Sequence, residues 1–256
     1  MLFYFTATGN SLHAAKALDA DRRSIAQAIH DENKVYKAEK IGIVCPVFGH
    51  EVPELVKDFL RQARFETDYF FAILTYGNRH GGASELAKSF LEEIGIQPAY
   101  INLVLMVDNW LPGFDMEEQK RLDKRVDEQL ARIAADLQTR KRFISPVTEQ
   151  DREHHRGYLE RRAKQPPELF QRLYRITEDC IGCGICVKVC PRACFTVEAQ
   201  KSRWNPAGCI TCLACAHACP MTAIQLNIPE KNPKARYRNE NVSICEIVAA
   251  NNQHPS

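Results

Sequence analysis

The sequence predicts an α/β fold, in which a doubly wound, five-stranded parallel sheet is followed by a small cysteine-rich module. Short apolar segments alternate with helical patterns through about residue 145. Ten of the 11 cysteines lie after residue 179. We predict a sheet domain over residues 1–142, a partly helical linker over 143–170, a cysteine module over 171–227 and a polar extension over 228–256.

The predicted strands are short, mostly apolar and rich in β-branched or aromatic residues, as strands of buried parallel sheets are. They are Leu2–Phe5, Ile41–Val44, Tyr69–Leu74 and Tyr100–Met106, with Ser24–Ala28 as a less regular fifth candidate. Because these strands alternate with helices, we expect crossover connections, parallel pairing and a sheet covered on both faces.

Apolar residues spaced three and four apart predict the helices between the strands. The predicted helices are Asn10–Leu18, Pro53–Ala63, Ala83–Ile94 and Glu117–Leu137. In the linker, the charged run Asp151–Lys164 is expected to face solvent. The extension has weak helix potential only at Val242–Ala249.

The composition excludes several classes of protein. At 45% hydrophobic and 26% charged residues, the 256-residue chain is neither disordered nor fibrous in type. Its 34 basic and 32 acidic residues argue against bulk electrostatic binding to nucleic acid or anionic membrane. There is no run of 18 apolar residues and no signal-peptide pattern at Met1–Thr6. We therefore expect a cytoplasmic protein, whose clustered cysteines bind metal or do redox work.

Eight cysteines form an internal repeat with an offset of 29 residues. Both copies read C-x₂-C-x₂-C-x₃-C-P, which is the bacterial-type iron–sulfur pattern. In such a pattern three cysteines of one loop bind one cluster and the fourth binds the other cluster. The predicted sets are Cys180, Cys183, Cys186 and Cys219 for one cluster, and Cys209, Cys212, Cys215 and Cys190 for the other.

Structural zinc is the alternative for these cysteines. Zinc sites use two pairs of ligands, whereas here a third cysteine and a Cys-Pro fourth both occur twice. Cys194 is expected to fill space, with an extra redox or ligand role as its alternative, and Cys45 and Cys245 have no partners at ligand spacing. The module is similar to the two-cluster [4Fe–4S] bacterial ferredoxins, which implies a small α+β ferredoxin-like fold.

A loop suited to an anion follows the first predicted strand. It opens a helix after a Gly-containing turn, so backbone N–H groups and the positive end of the helix dipole face outward. Hydroxyl groups add donors, and the loop contains no Lys or Arg. It matches neither the G-x-G-x-x-G nor the Walker pattern, and an ordinary strand–helix turn is the alternative. Its residues are Thr6, Ala7, Thr8, Gly9, Asn10 and Ser11.

Two further loops pair an aromatic residue with a glycine at the end of a predicted strand. An aromatic residue can stack on a planar ring, and a glycine lets backbone approach its edge. In open α/β sheets ligands bind at this end of the strands. His50 directly follows the first of these loops; it is a candidate proton donor, and the alternative is an ordinary surface histidine. Trp110 is a candidate contact for the planar ring of a ligand, and the alternative is a packing role. The loops are Pro46, Val47, Phe48 and Gly49, and Thr75, Tyr76, Gly77 and Asn78.

These loops resemble those of flavodoxin: the T-x-T-G-N-S stretch resembles its FMN phosphate loop and the other two its isoalloxazine loops. Residues 1–227 resemble the flavodoxin–ferredoxin fusion proteins of anaerobic bacteria and archaea. The resemblance implies strand order 2-1-3-4-5, bound FMN and two [4Fe–4S] clusters.

The implied function is electron transfer between one-electron and two-electron couples in anaerobic metabolism, with a low-potential donor or acceptor protein as partner. The alternative is an FMN-dependent reductase of a small molecule such as a quinone, nitro compound or activated alkene. In that case His50, Asn78, His80 and Trp110 would shape a pocket beside the flavin. Because no second nucleotide-binding domain is visible, direct reduction by NADH or NADPH is not expected.

Overall fold

The computed structural model describes residues 1–166 and 168–253. The chain divides into two compact units, which are described separately. The first, here called the sheet unit, contains Met1–Thr6, Asn10–Val107 and Asp123–Lys164. The second, here called the cysteine unit, contains Ala7–Gly9, Asp108–Leu122 and the chain from Gln165 onward.

The sheet unit is built on a six-stranded parallel sheet of order β2-β1-β4-β6-β7-β8. Strands β3 and β5 form a separate parallel pair. The fold class and the predicted order of the first five sheet strands are confirmed, while the short sixth strand β8 was not predicted. The strands are β1 Leu2–Tyr4, β2 Arg22–Ser24, β3 Val35–Lys37, β4 Lys40–Pro46, β5 Arg64–Glu66, β6 Tyr69–Tyr76, β7 Pro98–Leu105 and β8 Phe143–Ile144.

The central strands are buried on both faces. Every side chain of 41–45 in β4 and of 69–75 in β6 is buried, although successive side chains point to opposite faces. Gly42 lies opposite Phe71 on the neighbouring strand, and any larger residue there would clash with the Phe71 ring.

The helices of the sheet unit are α1 Asn10–Leu18, α2 Ile25–Ala28, α3 Glu54–Gln62, α4 Ala83–Glu93, α6 Val126–Gln138 and α7 Glu149–Ala163. Helix α5, Met116–Lys120, belongs to the cysteine unit.

Two predicted elements were wrong for local reasons. The strand predicted at Ser24–Ala28 ends at Ser24, whose hydroxyl accepts the N–H of Ala26 at 3.2 Å and caps helix α2. The single helix predicted at Glu117–Leu137 is two helices, α5 and α6. Arg125 interrupts it with a φ of 49°, and its N–H donates to the Asp123 carboxylate at 2.8 Å. Such side-chain bonds compete with helical ones.

The linker segment contains the 15-residue helix α7. Thr148 and Asp151 cap its start reciprocally, each side chain accepting a backbone N–H from the other. Asp151 is followed at three and four residues by His154 and His155, and these at four and three residues by Tyr158, so the four side chains share the half-buried face of the helix. Most other positions of α7 are exposed. A polar helix therefore presents a histidine- and tyrosine-bearing face within the sheet unit.

The cysteine unit repeats its own architecture. Helix α10 and strand β12 each begin 29 residues after their counterparts α9 and β10. Strand β9 pairs antiparallel with β12, and β10 with β11. The elements are α8 Glu168–Gln171, β9 Tyr174–Ile176, α9 Ile185–Lys188, β10 Phe195–Glu198, β11 Lys201–Trp204, α10 Ala214–Ala218, β12 Ile224–Leu226 and α11 Ile244–Asn251.

The C-terminal extension is part of the cysteine unit. Arg236 and Glu230 form an ion pair at 2.8 Å with side chains only 9% and 3% exposed. Tyr237 and Asn239 are also buried, and helix α11 lies where weak helix potential was predicted. In the described part of the chain, no helix combines the length and apolar character needed to cross a membrane.

Candidate functional site

Two cavities in the cysteine unit are lined by cysteines. The first is lined by Cys180, Cys183, Cys186 and Cys219. The second is lined by Cys190, Cys209, Cys212 and Cys215, with Cys194 as a fifth cysteine. Apart from Cys194, these are the two crossed sets that the repeat predicts, with the fourth cysteine of each copy in the other copy's cavity. Four converging thiols match the ligand requirement of a [4Fe–4S] cluster.

Among the described residues, no group of three or more His, Cys, Asp or Glu side chains is close enough together to hold a single metal ion.

The two cysteine loops share a pattern of left-handed backbone. Three positions with positive φ recur at the repeat offset, although glycine occupies two of them in the first copy and none in the second. Left-handed backbone costs a non-glycine residue about 1–2 kcal/mol. Strain of this kind is retained where a loop must hold a ligand. The pairs are Gly182 and Thr211 at 66° and 54°, Gly184 and Leu213 at 74° and 62°, and Ala193 and Thr222 at 51° and 52°.

Backbone N–H groups donate to cysteine sulfurs at equivalent places in both copies. Cys194 N–H donates to Cys190 Sγ at 3.2 Å, and Ala223 N–H donates to Cys219 Sγ at 3.2 Å. In the first cavity, Ser202 N–H also donates to Cys180 Sγ at 3.4 Å. Hydrogen bonds to ligand sulfur tune the reduction potential of a cluster.

Cys194 lies beside two predicted ligands of the second cavity. Its buried thiol lies 3.4 Å from the carbonyl oxygen of Arg192 and 3.6 Å from that of Ala207. Hydrogen bonding to Cys194 lowers the pKa of Cys190 and that of Cys209. Burial acts in the opposite direction on Cys215, whose pKa is raised. The expectation that Cys194 fills space stays a prediction.

Sequence reasoning missed two residues that line the cavities. The Ser202 hydroxyl lies 3.1 Å from Cys186 Sγ in the first cavity. Tyr174 lines the second cavity and packs edge-on against Trp204, with ring centroids 4.9 Å apart. Neither belongs to the cysteine pattern, and only their positions on β11 and β9, next to the loops, bring them to the sulfurs.

The sheet unit holds part of the predicted phosphate loop. Helix α1 begins at Asn10, as predicted. The buried Ser11 hydroxyl lies 2.8 Å from that of Thr75, the first residue of another predicted loop. Asn10 Nδ2 donates to the carbonyl of Val107 at 3.0 Å, and the Thr6 side chain is buried.

The middle of the phosphate loop, Ala7–Gly9, belongs to the cysteine unit. Thr8 is 3% exposed, and its hydroxyl accepts the Asn109 amide N–H at 2.8 Å. Gly9 has a φ of 104°, and a Cβ there would lie 2.9 Å from Asn239 Cβ. Trp110 also belongs to this unit and is 36% exposed.

The two aromatic loops lie side by side at the ends of neighbouring strands β4 and β6. Val47 N–H donates to the carbonyl of Thr75 at 2.8 Å. Phe48, Gly49, Tyr76 and Gly77 are half-buried, while Asn78 is exposed; Pro46 is also half-buried. The predicted ring contacts of these loops stay a prediction.

A histidine and tyrosine cluster adjoins the aromatic loops within the sheet unit. His50 Nδ1 lies 3.3 Å from His155 Nδ1, and the His50 ring centroid is 5.1 Å from that of Tyr158. A side chain at Gly49 would clash with the Tyr158 hydroxyl. Burial, followed by the neighbouring His155, lowers the pKa of His50 to about 4, so this ring is neutral at neutral pH. His80 Nε2 lies 3.4 Å from the Asp151 carboxylate.

Comparison with known proteins identifies the cysteine module. Residues 172–220 match the 4Fe–4S dicluster domain family. A 7Fe ferredoxin of Hydrogenibacillus schlegelii is 43% identical over 53 residues, covering 20% of this chain and 68% of that protein. The chain belongs to the 4Fe–4S dicluster ferredoxin family, whose domains bind iron–sulfur clusters and transfer electrons.

Other similarities are partial. Indolepyruvate oxidoreductase subunit IorA of Pyrococcus horikoshii is 36% identical over 72 residues, covering 27% of this chain. The chain spans only 10% of that relative's length. A solved structure described as a flavoprotein, from Bacteroides uniformis, has a TM-score of 0.31 and 18% identity, covering 47% of this chain and 94% of that one.

Proposed function

We propose that this protein is an iron–sulfur flavoprotein that transfers electrons between two [4Fe–4S] clusters and FMN, for a low-potential donor or acceptor protein. The observation that carries the proposal is the pair of cavities, each lined by a complete set of four cysteines. Each cluster would supply a one-electron couple, and FMN a couple of one or two electrons. One chain would then connect one-electron and two-electron reactions.

The chain's own residues would set the cluster potentials. Cys180, Cys183, Cys186 and Cys219 would ligate one cluster, and Cys209, Cys212, Cys215 and Cys190 the other. The N–H groups of Ser202, Cys194 and Ala223 donate to ligand sulfurs, which stabilises their negative charge. The buried Leu213 and Phe195 help to keep water from the module.

For FMN, the supporting observation is that the predicted loops follow adjacent strands of the parallel sheet. Strand β1 pairs with β4, and β4 pairs with β6. Ligands of open α/β sheets bind where such strands end. The hydroxyl of Ser11 and the N–H groups at the start of α1 would bind the phosphate. Phe48 and Tyr76 would contact the ring.

The first test is anaerobic purification followed by metal and flavin analysis. We expect about eight iron per chain, together with FMN. Stoichiometric zinc in place of iron would overturn the cluster assignment. The double replacement Thr8→Ala with Ser11→Ala should lower the FMN content and leave iron unchanged, since only the flavin proposal depends on these hydroxyls. NADH and NADPH should fail to reduce the protein directly, whereas a reduced low-potential ferredoxin should succeed.

A second candidate function, an FMN-dependent reductase of small molecules, is favoured by the cluster of His50, His155 and Tyr158 beside the aromatic loops. These groups could hold a polar substrate and supply a proton. Replacing Tyr158 by Phe keeps the ring and removes the hydroxyl. A reductase would then lose turnover of a quinone or nitro compound, whereas a pure carrier would keep its rate of electron transfer to a protein acceptor.

A further inference from the structure

The internal repeat extends to the strands that flank the two cavities of the cysteine unit. Ser202 on β11 lies opposite Val197 on β10, and Tyr174 on β9 lies opposite Leu226 on β12. Val197 and Leu226 are 29 residues apart, which is the offset of the cysteine repeat. Ser202 and Tyr174 therefore occupy equivalent places in the two copies. Both carry a hydroxyl group, Ser202 at the first cavity and Tyr174 at the second.

The two hydroxyl groups reach equivalent cysteines. Ser202 Oγ lies 3.1 Å from Cys186 Sγ, and the Tyr174 hydroxyl forms a hydrogen bond with the Cys215 side chain. Cys186 and Cys215 are the third cysteines of their copies. Because a ligand thiolate has no hydrogen to give, the hydroxyl is the donor once a cluster is bound. Ser202 is 5% exposed and Tyr174 is 7% exposed, so water competes little for these bonds.

The first cysteine of each copy also has a donor beside it, but of a different kind. At Cys180 the donor is the backbone N–H of Ser202, which lies 3.4 Å from Sγ. At the equivalent Cys209 the neighbouring donor is the indole N–H of Trp204. Trp204 Nε1 is buried and makes no well-formed hydrogen bond with any described residue. A buried N–H group without an acceptor is costly, and a Cys209 thiolate in a bound cluster would supply that acceptor.

Packing holds the donors of the second cavity in place. Trp204 lies opposite Phe195 in the hairpin of β10 and β11. The Trp204 ring packs edge-on against that of Tyr174, with centroids 4.9 Å apart, and the Tyr174 and Phe195 centroids are 6.1 Å apart. The indole and the phenol, each with one donor group, are thus fixed against each other beside the cysteines.

We propose that the two clusters are tuned separately, the first through the Ser202 hydroxyl and the second through the side chains of Trp204 and Tyr174. Reduction adds one electron to a cluster, supplied by the low-potential donor protein, and part of the added negative charge falls on the ligand sulfurs. Each donor stabilises that charge and so raises the reduction potential of its own cluster. This inference rests on the proposed binding of two [4Fe–4S] clusters and does not depend on the flavin.

The experiment is a potentiometric titration of full-length, cluster-loaded protein with dithionite, followed by electron paramagnetic resonance. Ser202→Ala removes one hydroxyl and keeps the backbone N–H. Trp204→Phe and Tyr174→Phe each remove one donor and keep an aromatic ring. Thr196→Val is the matched control, because Thr196 is an exposed hydroxyl residue of the same hairpin.

Two further backgrounds identify which cluster responds. Cys180→Ala with Cys219→Ala keeps only the second cavity complete, and Cys190→Ala with Cys209→Ala keeps only the first. Ser202→Ala is therefore measured on the first cluster alone, and Trp204→Phe on the second alone.

We expect each replacement to lower the equilibrium constant for one-electron reduction of its own cluster about tenfold, because each removes one hydrogen bond to a charged sulfur. A tenfold change corresponds to about 59 mV for a one-electron couple. The other cluster, and both clusters in Thr196→Val, should stay within about twofold of the unaltered protein. Iron should remain at about eight per chain in every variant that keeps all the ligand cysteines.

A second measurement tests the indole bond directly. The chain contains two tryptophans, which can be labelled isotopically at the indole nitrogen. Pulsed electron paramagnetic resonance of the reduced protein should then show a magnetic coupling between the labelled nitrogen and the second cluster. That coupling should disappear in Trp204→Phe, whereas loss of packing alone would not create it in the unaltered protein.

Absence of the nitrogen coupling would overturn the role of Trp204. An unchanged potential in Ser202→Ala, or equal shifts of both clusters in any replacement, would overturn separate tuning. If the unaltered protein holds zinc or no cubane, iron analysis shows that the proposed function itself fails before any potential is measured. Intact cubanes with unshifted potentials would refute this inference alone, so the two failures are distinguishable.

Discussion

The crossed assignment of the cysteines can be tested by removing them in pairs. Cys180→Ala with Cys219→Ala removes two ligands from one cavity and leaves the other complete. Cys180→Ala with Cys190→Ala removes one ligand from each cavity. If the four cysteines of each sequence copy instead shared a cluster, the consequences of the two pairs would be exchanged. The pairs therefore discriminate between the assignments without a partner protein or an activity.

The expected result is a count of intact clusters. The unaltered protein should hold two cubanes with about eight iron. The first pair should retain one cubane with about four iron, because the cavity of Cys209, Cys212, Cys215 and Cys190 keeps all its thiols. The second pair should retain none, because neither cavity keeps its predicted set of four ligands.

The assay is electron paramagnetic resonance of the dithionite-reduced protein, with spins counted per chain beside iron analysis. We expect about two [4Fe–4S] spins per chain for the unaltered protein and about one for the variant Cys180→Ala with Cys219→Ala. The variant Cys180→Ala with Cys190→Ala should show none. Cys245→Ala is the control, since Cys245 is exposed and lines neither cavity. One intact cubane in the second pair and none in the first would refute the crossed sets.

Two further predictions concern stability. Glu230→Ala leaves Arg236 buried without its carboxylate and should cost about 3–5 kcal/mol in urea unfolding. Glu128→Ala breaks an exposed pair with Arg125 and should cost at most about 1 kcal/mol. Since the pKa of His50 is lowered to about 4, protonation favours the unfolded state. The free energy of unfolding therefore falls as the pH drops below 6.5, the ordinary pKa of histidine, by about 1–2 kcal/mol between pH 7 and pH 5 after allowing for solvent screening. His50→Gln should remove that loss of stability. An unchanged dependence of stability on pH in this variant would contradict the lowered pKa of His50.

Much of the sheet unit could be predicted from periodicity. Strands β4 and β6 are continuous apolar runs, and α3 and α4 have apolar residues at helical spacing. The errors lie where a few side-chain bonds decide the local conformation. One hydroxyl of Ser24 turns a predicted strand into a helix start, and Asp123 breaks a helical pattern at Arg125.

The candidate site divides in the same way. The ligand sets could be predicted because the cysteine spacing is short-range and occurs twice. Ser202 and Tyr174 could not, since no spacing connects them to the sulfurs they face. The cluster of His50, His155 and Tyr158 was missed because the charged run of α7 was interpreted as a solvated surface.

The sequence by itself determines the cysteine repeat, the strand–helix alternation and the chemistry of the loops, because each depends on neighbours a few residues apart. Only the tertiary structure decides which distant groups meet. His217 and Asn109 are 108 residues apart, and Asn109 and Thr8 are 101 apart. Such bonds form when packing excludes water and brings matching donors and acceptors together, and a single sequence carries no periodic signal for that event.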